Sequence, residues 1–357
     1  DVLGDRVAVS TYSRIDNPTA DAFALGFAAL EAHGLDRPVA AQPFASGMAA
    51  ISTVLLALCR AGSHVVAPTA AYGGTYGVIA HVLHRFGVEA TFVDITDVSA
   101  VRGAIRDDTA LVWAETIANP TTAIADLAEL AAVCRAAGVP LCVDSTFAPP
   151  PVCRPLAWGA DLVVHSATKY IGGHSDVTGG VVVGDVERVA AVRRARIDLG
   201  GSLAPDEAFL LHRGLATLPL RVARHCATAA AVAAAIVDHP AIEQVDYPGL
   251  ATHPQHALAT KLFESGPDGV RYGAIVTITP RGGREAGFVF ADALRVAQVA
   301  TSLGGVHSVV SHVASTTHRQ FDDAALAAAG IAPGAVRFSI GLEHADDLIA
   351  DIRQALT

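Results

Sequence analysis

His165-Ser166-Ala167-Thr168-Lys169-Tyr170-Ile171-Gly172-Gly173-His174-Ser175-Asp176-Val177-Thr178-Gly179-Gly180 joins two apolar runs, residues 161–164 and 181–183, and its one lysine decides how the rest of the chain is read. The runs read as strands, and the small, turn-forming and hydroxyl residues between them as a loop at the mouth of a sheet. A lysine placed there is partly desolvated, which lowers its pKa from about 10.4 and leaves free amine able to bond a carbonyl carbon. Ser166 and Thr168 flank it with hydroxyls that can hold an anion such as phosphate. On a polar helix face the same lysine would be one more solvated cation. Here it lies between two strands of a chain with only 25 lysines and arginines, which makes it a candidate nucleophile.

Bulk properties narrow the classes. A chain of 357 residues has room for two domains or one large α/β domain. With 52% hydrophobic and 17% charged residues it is not a disordered chain. The net charge of −10 argues against nucleic acid or an anionic membrane surface as partner. The longest apolar stretch, residues 54–59, is too short to span a bilayer. The five cysteines (Cys59, Cys134, Cys142, Cys153, Cys226) include no C-x-x-C pair, a usage that suits reduced, buried thiols in the cytoplasm. No signal peptide is legible, although the first residue is Asp1 and not methionine. The fifteen histidines give the near pairs His81/His84, His253/His256 and His307/His312, none with a third ligand at zinc spacing, so no metal is expected.

Strand and helix patterns alternate through the middle of the chain. Residues 49–60 and 126–137 read as helices, closed by Gly62 and Gly138, and residues 63–67, 90–94, 111–115 and 140–144 read as strands. Such alternation predicts a mainly parallel sheet covered by helices, with ligands at the carboxyl ends of the strands. After Arg213-Gly214-Leu215 the pattern changes to long helices over 220–238 and 287–299, with one strand pair near 274–279 and 336–340. The expected organisation is an N-terminal arm over 1–18, a large domain over 19–214 and a smaller C-terminal α+β domain over 215–357.

Three further places carry chemistry. Asp144 ends a strand, where a carboxylate is costly unless paired, although an aspartate after a strand is often only a turn former. Ser46-Gly47-Met48 opens a helix with a serine cap, and such an N-terminus offers amides and a positive dipole end to phosphate. Arg337, at the start of a strand in Arg337-Phe338-Ser339-Ile340-Gly341, has a planar fork suited to an amino acid's carboxylate.

Together with Tyr12-Ser13-Arg14, Ala71-Tyr72-Gly73-Gly74-Thr75, Glu115-Thr116-Ile117-Ala118-Asn119-Pro120 and Ser302-Leu303-Gly304-Gly305, these motifs resemble the pyridoxal-phosphate enzymes of cysteine and methionine metabolism. That family includes cystathionine γ-synthase, cystathionine γ-lyase, methionine γ-lyase and O-acetylhomoserine sulfhydrylase. The resemblance runs from Tyr12 to the C-terminus. It implies the aspartate aminotransferase-like transferase fold (fold type I) and the cofactor pyridoxal 5′-phosphate bound to Lys169. It assigns Asp144 to the pyridine nitrogen and Asn119 to the phenolic oxygen. Gly47, Met48, Ser166 and Thr168 go to the phosphate, and Tyr72 to stacking on the ring and to acid–base work. Ser302 and Arg337 are implied to hold the substrate carboxylate. Tyr12 and Arg14 are implied to reach a neighbouring subunit's phosphate, so the expected assembly is a homo-oligomer, a dimer at minimum and a tetramer by preference.

The implied reaction is γ-elimination or γ-replacement on a γ-substituted L-amino acid, with an aminotransferase or β-lyase on the same fold as alternative. A non-enzymatic pyridoxal-binding regulator is disfavoured, since no basic DNA-binding module is present. Thr301 is expected at the substrate too: family members that handle cystathionine usually have a glutamate there and an arginine where this chain has Gly77. Efficient methionine-degrading members tend to have a cysteine at the place of Gly74, whereas residues 314–318 look similar to the sulfhydrylase branch. A small γ-substituted substrate is the expectation.

Overall fold

The computed structural model describes residues 10–316, 319, 322, 324, 326 and 329–357. The first nine residues of the expected arm, and Thr317 and His318 of the sulfhydrylase-like segment, lie outside the described residues.

A seven-stranded mixed sheet forms first in the chain. Its strands are β1 (Val39–Phe44), β2 (His64–Pro68), β3 (Glu89–Val93), β4 (Thr109–Glu115), β5 (Leu141–Asp144), β6 (Leu162–His165) and β7 (Gly180–Asp185), in the order β1-β7-β6-β5-β4-β2-β3. Only β7 runs against the others. The central strands are near-continuous runs of Val, Leu and Cys because apolar residues cover both of their faces. The polar ends of β4, β5 and β6 therefore come out on one edge, at Glu115, Asp144 and His165.

The long helix Pro205–Ile236 starts fifteen residues earlier than the pattern indicates and continues through residues 214 and 215. The change of pattern expected after Gly214 is no break in this helix, which also carries Pro219 in its interior. A Cβ on Gly214 would stand 2.4 Å from the carbonyl of Ile171, so the glycine is there for close approach to the lysine loop. From the same helix the buried Arg221 donates to the carbonyls of Tyr170 (2.6 Å), Ile171 (3.1 Å) and Gly214 (2.8 Å). The first helix, Pro18–Glu31, was not legible as one, and it packs beside this long helix.

After a short ladder of β9 (Ser265–Gly266) and β10 (Gly269–Val270), the expected single strand pair proves to be part of a five-stranded sheet. Its members are β8 (Ile242–Asp246), β11 (Ile275–Pro280), β12 (Gln298–Val299), β13 (Val309–His312) and β14 (Val336–Ser339), in the order β12-β13-β14-β11-β8. The helix expected over 287–299 is instead Gly283–Ala293; Leu294 turns extended and residues 298–299 pair with β13. Short edge strands with polar or glycine neighbours give little periodic signal.

All five cysteines are free, four of them buried and Cys59 half-buried. No helix among the described residues is long and apolar enough to cross a membrane.

Candidate active site

A cavity of about 270 Å³ opens at the carboxyl edge of the large sheet. Gly47, Met48, Tyr72, Asn119, Asp144, Ser166, Thr168, Lys169, Thr301 and Arg337 line it, residues that are scattered over nearly 300 positions of sequence. Ser302 joins them through a 3.2 Å hydrogen bond from Lys169 Nζ to its hydroxyl. Tyr12 and Arg14 do not join them. Arg14 sits 5.2 Å from the Tyr12 ring and donates to the carbonyl of Ile197 at 2.8 Å, holding the arm on the helix Val186–Leu199.

One wall is a helix N-terminus. Ser46 Oγ accepts the amide of Ala49 at 3.0 Å, capping Gly47–Leu58 and leaving the amides of Gly47 and Met48 to the cavity edge. A side chain at Gly47 would stand 2.7 Å from Ser166 Cβ, and one at Gly180 would stand 2.3 Å from the carbonyl of Ser46. The cap and the lysine loop thus interlock through glycines and leave a small seat with hydroxyl and amide donors. Thr168 is more committed than its motif suggests: its hydroxyl donates to Gly179 O at 3.1 Å and accepts from Gly179 N at 3.0 Å.

The floor carries two carboxyls, Glu115 and Asp144, opposite one another in the parallel register of β4 and β5. Asp144 Oδ1 accepts the amide and hydroxyl of Thr146 at 3.0 and 2.6 Å, and Thr146 Oγ1 accepts the amide of Ser166 at 2.8 Å. Burial pushes the Asp144 carboxyl up, against the pull of the Thr146 bonds. Burial and then the charge of Asp144 push Glu115 up to about 8. From sequence Thr146 has no role, and Glu115 enters only as the first residue of the motif that ends in Asn119-Pro120. The Asp-x-Thr turn was a usable signal for the first, whereas strand register is what sets the second beside Asp144.

Lys169 has its pKa lowered by burial and then by the neighbouring Arg337. Arg337, on β14, is itself pushed down to about 10 by burial. It donates to Asn119 Oδ1 at 3.0 Å and to the carbonyls of Thr301 (3.2 Å) and Ser302 (3.1 Å), while its Nε has no partner. Asn119 precedes a cis bond to Pro120.

These groups fit pyridoxal phosphate. An amine with a single weak hydroxyl partner, a buried carboxyl, and a glycine seat lined by amides and hydroxyls match its aldehyde, its ring nitrogen and its phosphate in kind.

Residues 3–357 match the family described as Cys/Met metabolism PLP-dependent enzyme. The chain is 40% identical over 350 residues to the L-methionine gamma-lyase of Treponema denticola, covering 97% of this chain and 84% of that protein. It is also 40% identical over 346 residues to the cystathionine gamma-synthase of Mycobacterium tuberculosis, with 97% and 86% covered. A solved cystathionine gamma synthase of Xanthomonas oryzae in complex with cystathionine superposes with a TM-score of 0.92 at 38% identity, over 99% of this chain and 88% of that one.

Proposed function

Because the chain belongs to the Cys/Met metabolism PLP-dependent enzyme family, we propose that it catalyses γ-elimination or γ-replacement on an L-amino acid with a small, uncharged γ-substituent. It is a pyridoxal-phosphate enzyme of sulfur amino-acid metabolism. The observation that carries the substrate reading is the short roster of charges in the cavity: Glu115, Asp144, Lys169 and Arg337.

Bound pyridoxal phosphate supplies the electron sink that stabilises negative charge on the substrate's carbons. Lys169 is the attachment point and, once released, the base: its Nζ takes the proton from the α-carbon, and the lowered pKa raises the fraction of amine able to do so. Asp144 faces the ring nitrogen and favours its protonated form. The amides of Gly47 and Met48 and the hydroxyls of Ser166 and Thr168 seat the phosphate, and Asn119 orients the ring oxygen. Arg337 binds the α-carboxylate with Ser302 beside it. The hydroxyl of Tyr72, half-exposed at the mouth, gives a proton to the departing γ-substituent.

Asp144, Lys169 and Arg337 are thereby engaged near the reacting end, and the Glu115 carboxyl is tied to the Tyr72 amide. No further charged side chain among this chain's described residues lines the cavity for the distal ammonium and carboxylate of cystathionine, and Thr301, where cystathionine-handling members of the family usually have a glutamate, offers only a hydroxyl. A buried charge left without its partner commonly costs on the order of a hundredfold in rate or affinity. O-Acetylhomoserine, homocysteine and methionine avoid that cost.

The arm supports a shared site. Tyr12 and Arg14 stay off their own cavity, and we assign them to the phosphate of a neighbouring subunit, in a dimer at least.

A substrate panel tests the reading, scored for 2-oxobutyrate and ammonia with and without an added thiol. Turnover of the small substrates ahead of cystathionine is expected. Product without thiol identifies elimination and product only with thiol identifies replacement. Preferred turnover of cystathionine, or release of pyruvate or of amino-transfer products without ammonia, would overturn it.

A further inference from the structure

Glu115 has no part in the roles above, yet it is a carboxyl only 6% exposed on the floor of the site. Its Oε1 accepts the backbone N–H of Tyr72 at 2.6 Å, across 43 residues of sequence. Little else fixes that tyrosine. It caps the five-residue helix Gly73–Gly77 without a side-chain bond, and the residue is 45% exposed. Laterally it stands against Met48 and Gly74, so closely that a Cβ at Gly74 would lie 2.6 Å from both Met48 Sδ and Tyr72 Cε1.

We propose that Glu115 is a positioning residue of this site: its carboxyl, tied to the Tyr72 amide and lying opposite Asp144, fixes where the Tyr72 ring and hydroxyl stand over the cavity. The inference rests on the roles given above to Tyr72 and Asp144.

An apolar side chain could not hold the amide, and a second charge beside Asp144 would be repelled. A carboxyl that keeps its proton satisfies both conditions, because its carbonyl oxygen still accepts the N–H. The cationic ring nitrogen that the cofactor brings favours the charged form of Asp144, so the proton of the pair stays on Glu115 below about pH 8. The groups facing Glu115 are Asp144 on β5, Tyr72 after β2 and Asn119 in its own loop. Asp94, Asp246 and His253 share with it a second cleft behind the site. Of these groups Asp144 is the charge that acts on Glu115.

The test uses the holoenzyme with Glu115→Gln and Glu115→Ala, each alone and combined with Tyr72→Phe. Glu115→Gln, which keeps the accepting oxygen, is expected to hold kcat within about threefold at pH 7. Glu115→Ala is expected to lower kcat about tenfold to a hundredfold with KM little changed. In the Tyr72→Phe background the same change is expected to cost less than about twofold, because the hydroxyl it places is gone. The pH titration of the bound cofactor's visible absorbance is expected to be displaced in Glu115→Gln relative to the parent, because the carboxyl beside Asp144 can no longer ionise. Additive effects with Tyr72→Phe, or an unchanged titration in Glu115→Gln, would overturn the inference; the glutamine variant decides it if the alanine variant fails to fold. A parent enzyme that binds no cofactor or turns over no γ-substituted amino acid would instead remove the functional reading on which it stands.

Discussion

The guanidinium of Arg337 donates to Asn119 Oδ1 at 3.0 Å, joining β14 of the second sheet to the loop that leaves β4 of the first. The arginine is thus braced before any substrate arrives. Two carbonyls and one amide oxygen hold its plane, and the unpartnered Nε remains buried beside them. Pre-orientation of this kind would remove part of the entropy cost of capturing the substrate carboxylate proposed for it.

Replacing Arg337 with lysine keeps a positive charge but loses the fork and the Asn119 bond. KM for the amino-acid substrate is expected to rise about tenfold to a hundredfold, which corresponds to about 1.5–3 kcal/mol for a hydrogen bond to a charged group. Steady-state kinetics on the variant check this, and an unaltered KM would place the carboxylate elsewhere.

Lys169→Ala is expected to abolish the visible absorbance of the bound cofactor while the far-ultraviolet circular dichroism stays that of the parent. The lysine lines the cavity and its Nζ makes one bond, to Ser302, so its loss leaves the loop's backbone hydrogen bonds intact. A variant with the parent's spectrum would reject Lys169 as the attachment point.

Mixing inactive Lys169→Ala chains with inactive Arg14→Ala chains is expected to restore part of the activity. Some hybrid sites would combine an intact lysine from one subunit with an intact arm from the other. Verified hybrids that remain inactive would show that the arm serves its own chain.

Arg221 holds three backbone carbonyls with one buried guanidinium. Arg221→Met leaves those acceptors without a donor and is expected to destabilise the protein by about 3 kcal/mol or more. Thermal unfolding measures it, and a midpoint within a degree of the parent's would show that water replaces the clamp.

Glu115 gives a pH dependence whose sign is fixed. Its carboxyl is pushed from its ordinary 4.5 up to about 8 in the fold, so the neutral form is the one the folded state favours. Its contribution to stability is full below about pH 4.5 and is lost as the pH rises through about 8. Glu115→Gln cannot ionise, and its unfolding midpoint relative to the parent is expected to climb between pH 5 and 8.5. A difference independent of pH would mean that Glu115 does not titrate in that range.

The parts of the site legible in sequence are those in which one short segment carries the chemistry. Lys169 lies between hydroxyls, Asp144 ends an apolar strand, and Ser46-Gly47-Met48 opens a helix; local composition is enough for each. Glu115 also ends a strand, but its importance comes from the register that sets it beside Asp144 and from an amide 43 residues away. Arg221 reads as an ordinary helical arginine because the carbonyls it serves belong to the loop after Lys169. The second sheet was underestimated for a similar reason. Strands of two to five residues, such as Gln298–Val299, take their form from their neighbours more than from their own pattern.

The placement of the cysteines has a chemical consequence for an enzyme of sulfur metabolism. Disulfide exchange runs through the thiolate, and burial holds every thiol of the chain in its protonated form: Cys59 is pushed up to about 11, Cys134 and Cys226 to about 12, and Cys142 and Cys153 well above the ordinary value. Small thiols and disulfides that reach the protein therefore meet poor sulfur nucleophiles in it, and mixed disulfides have no ready place to start.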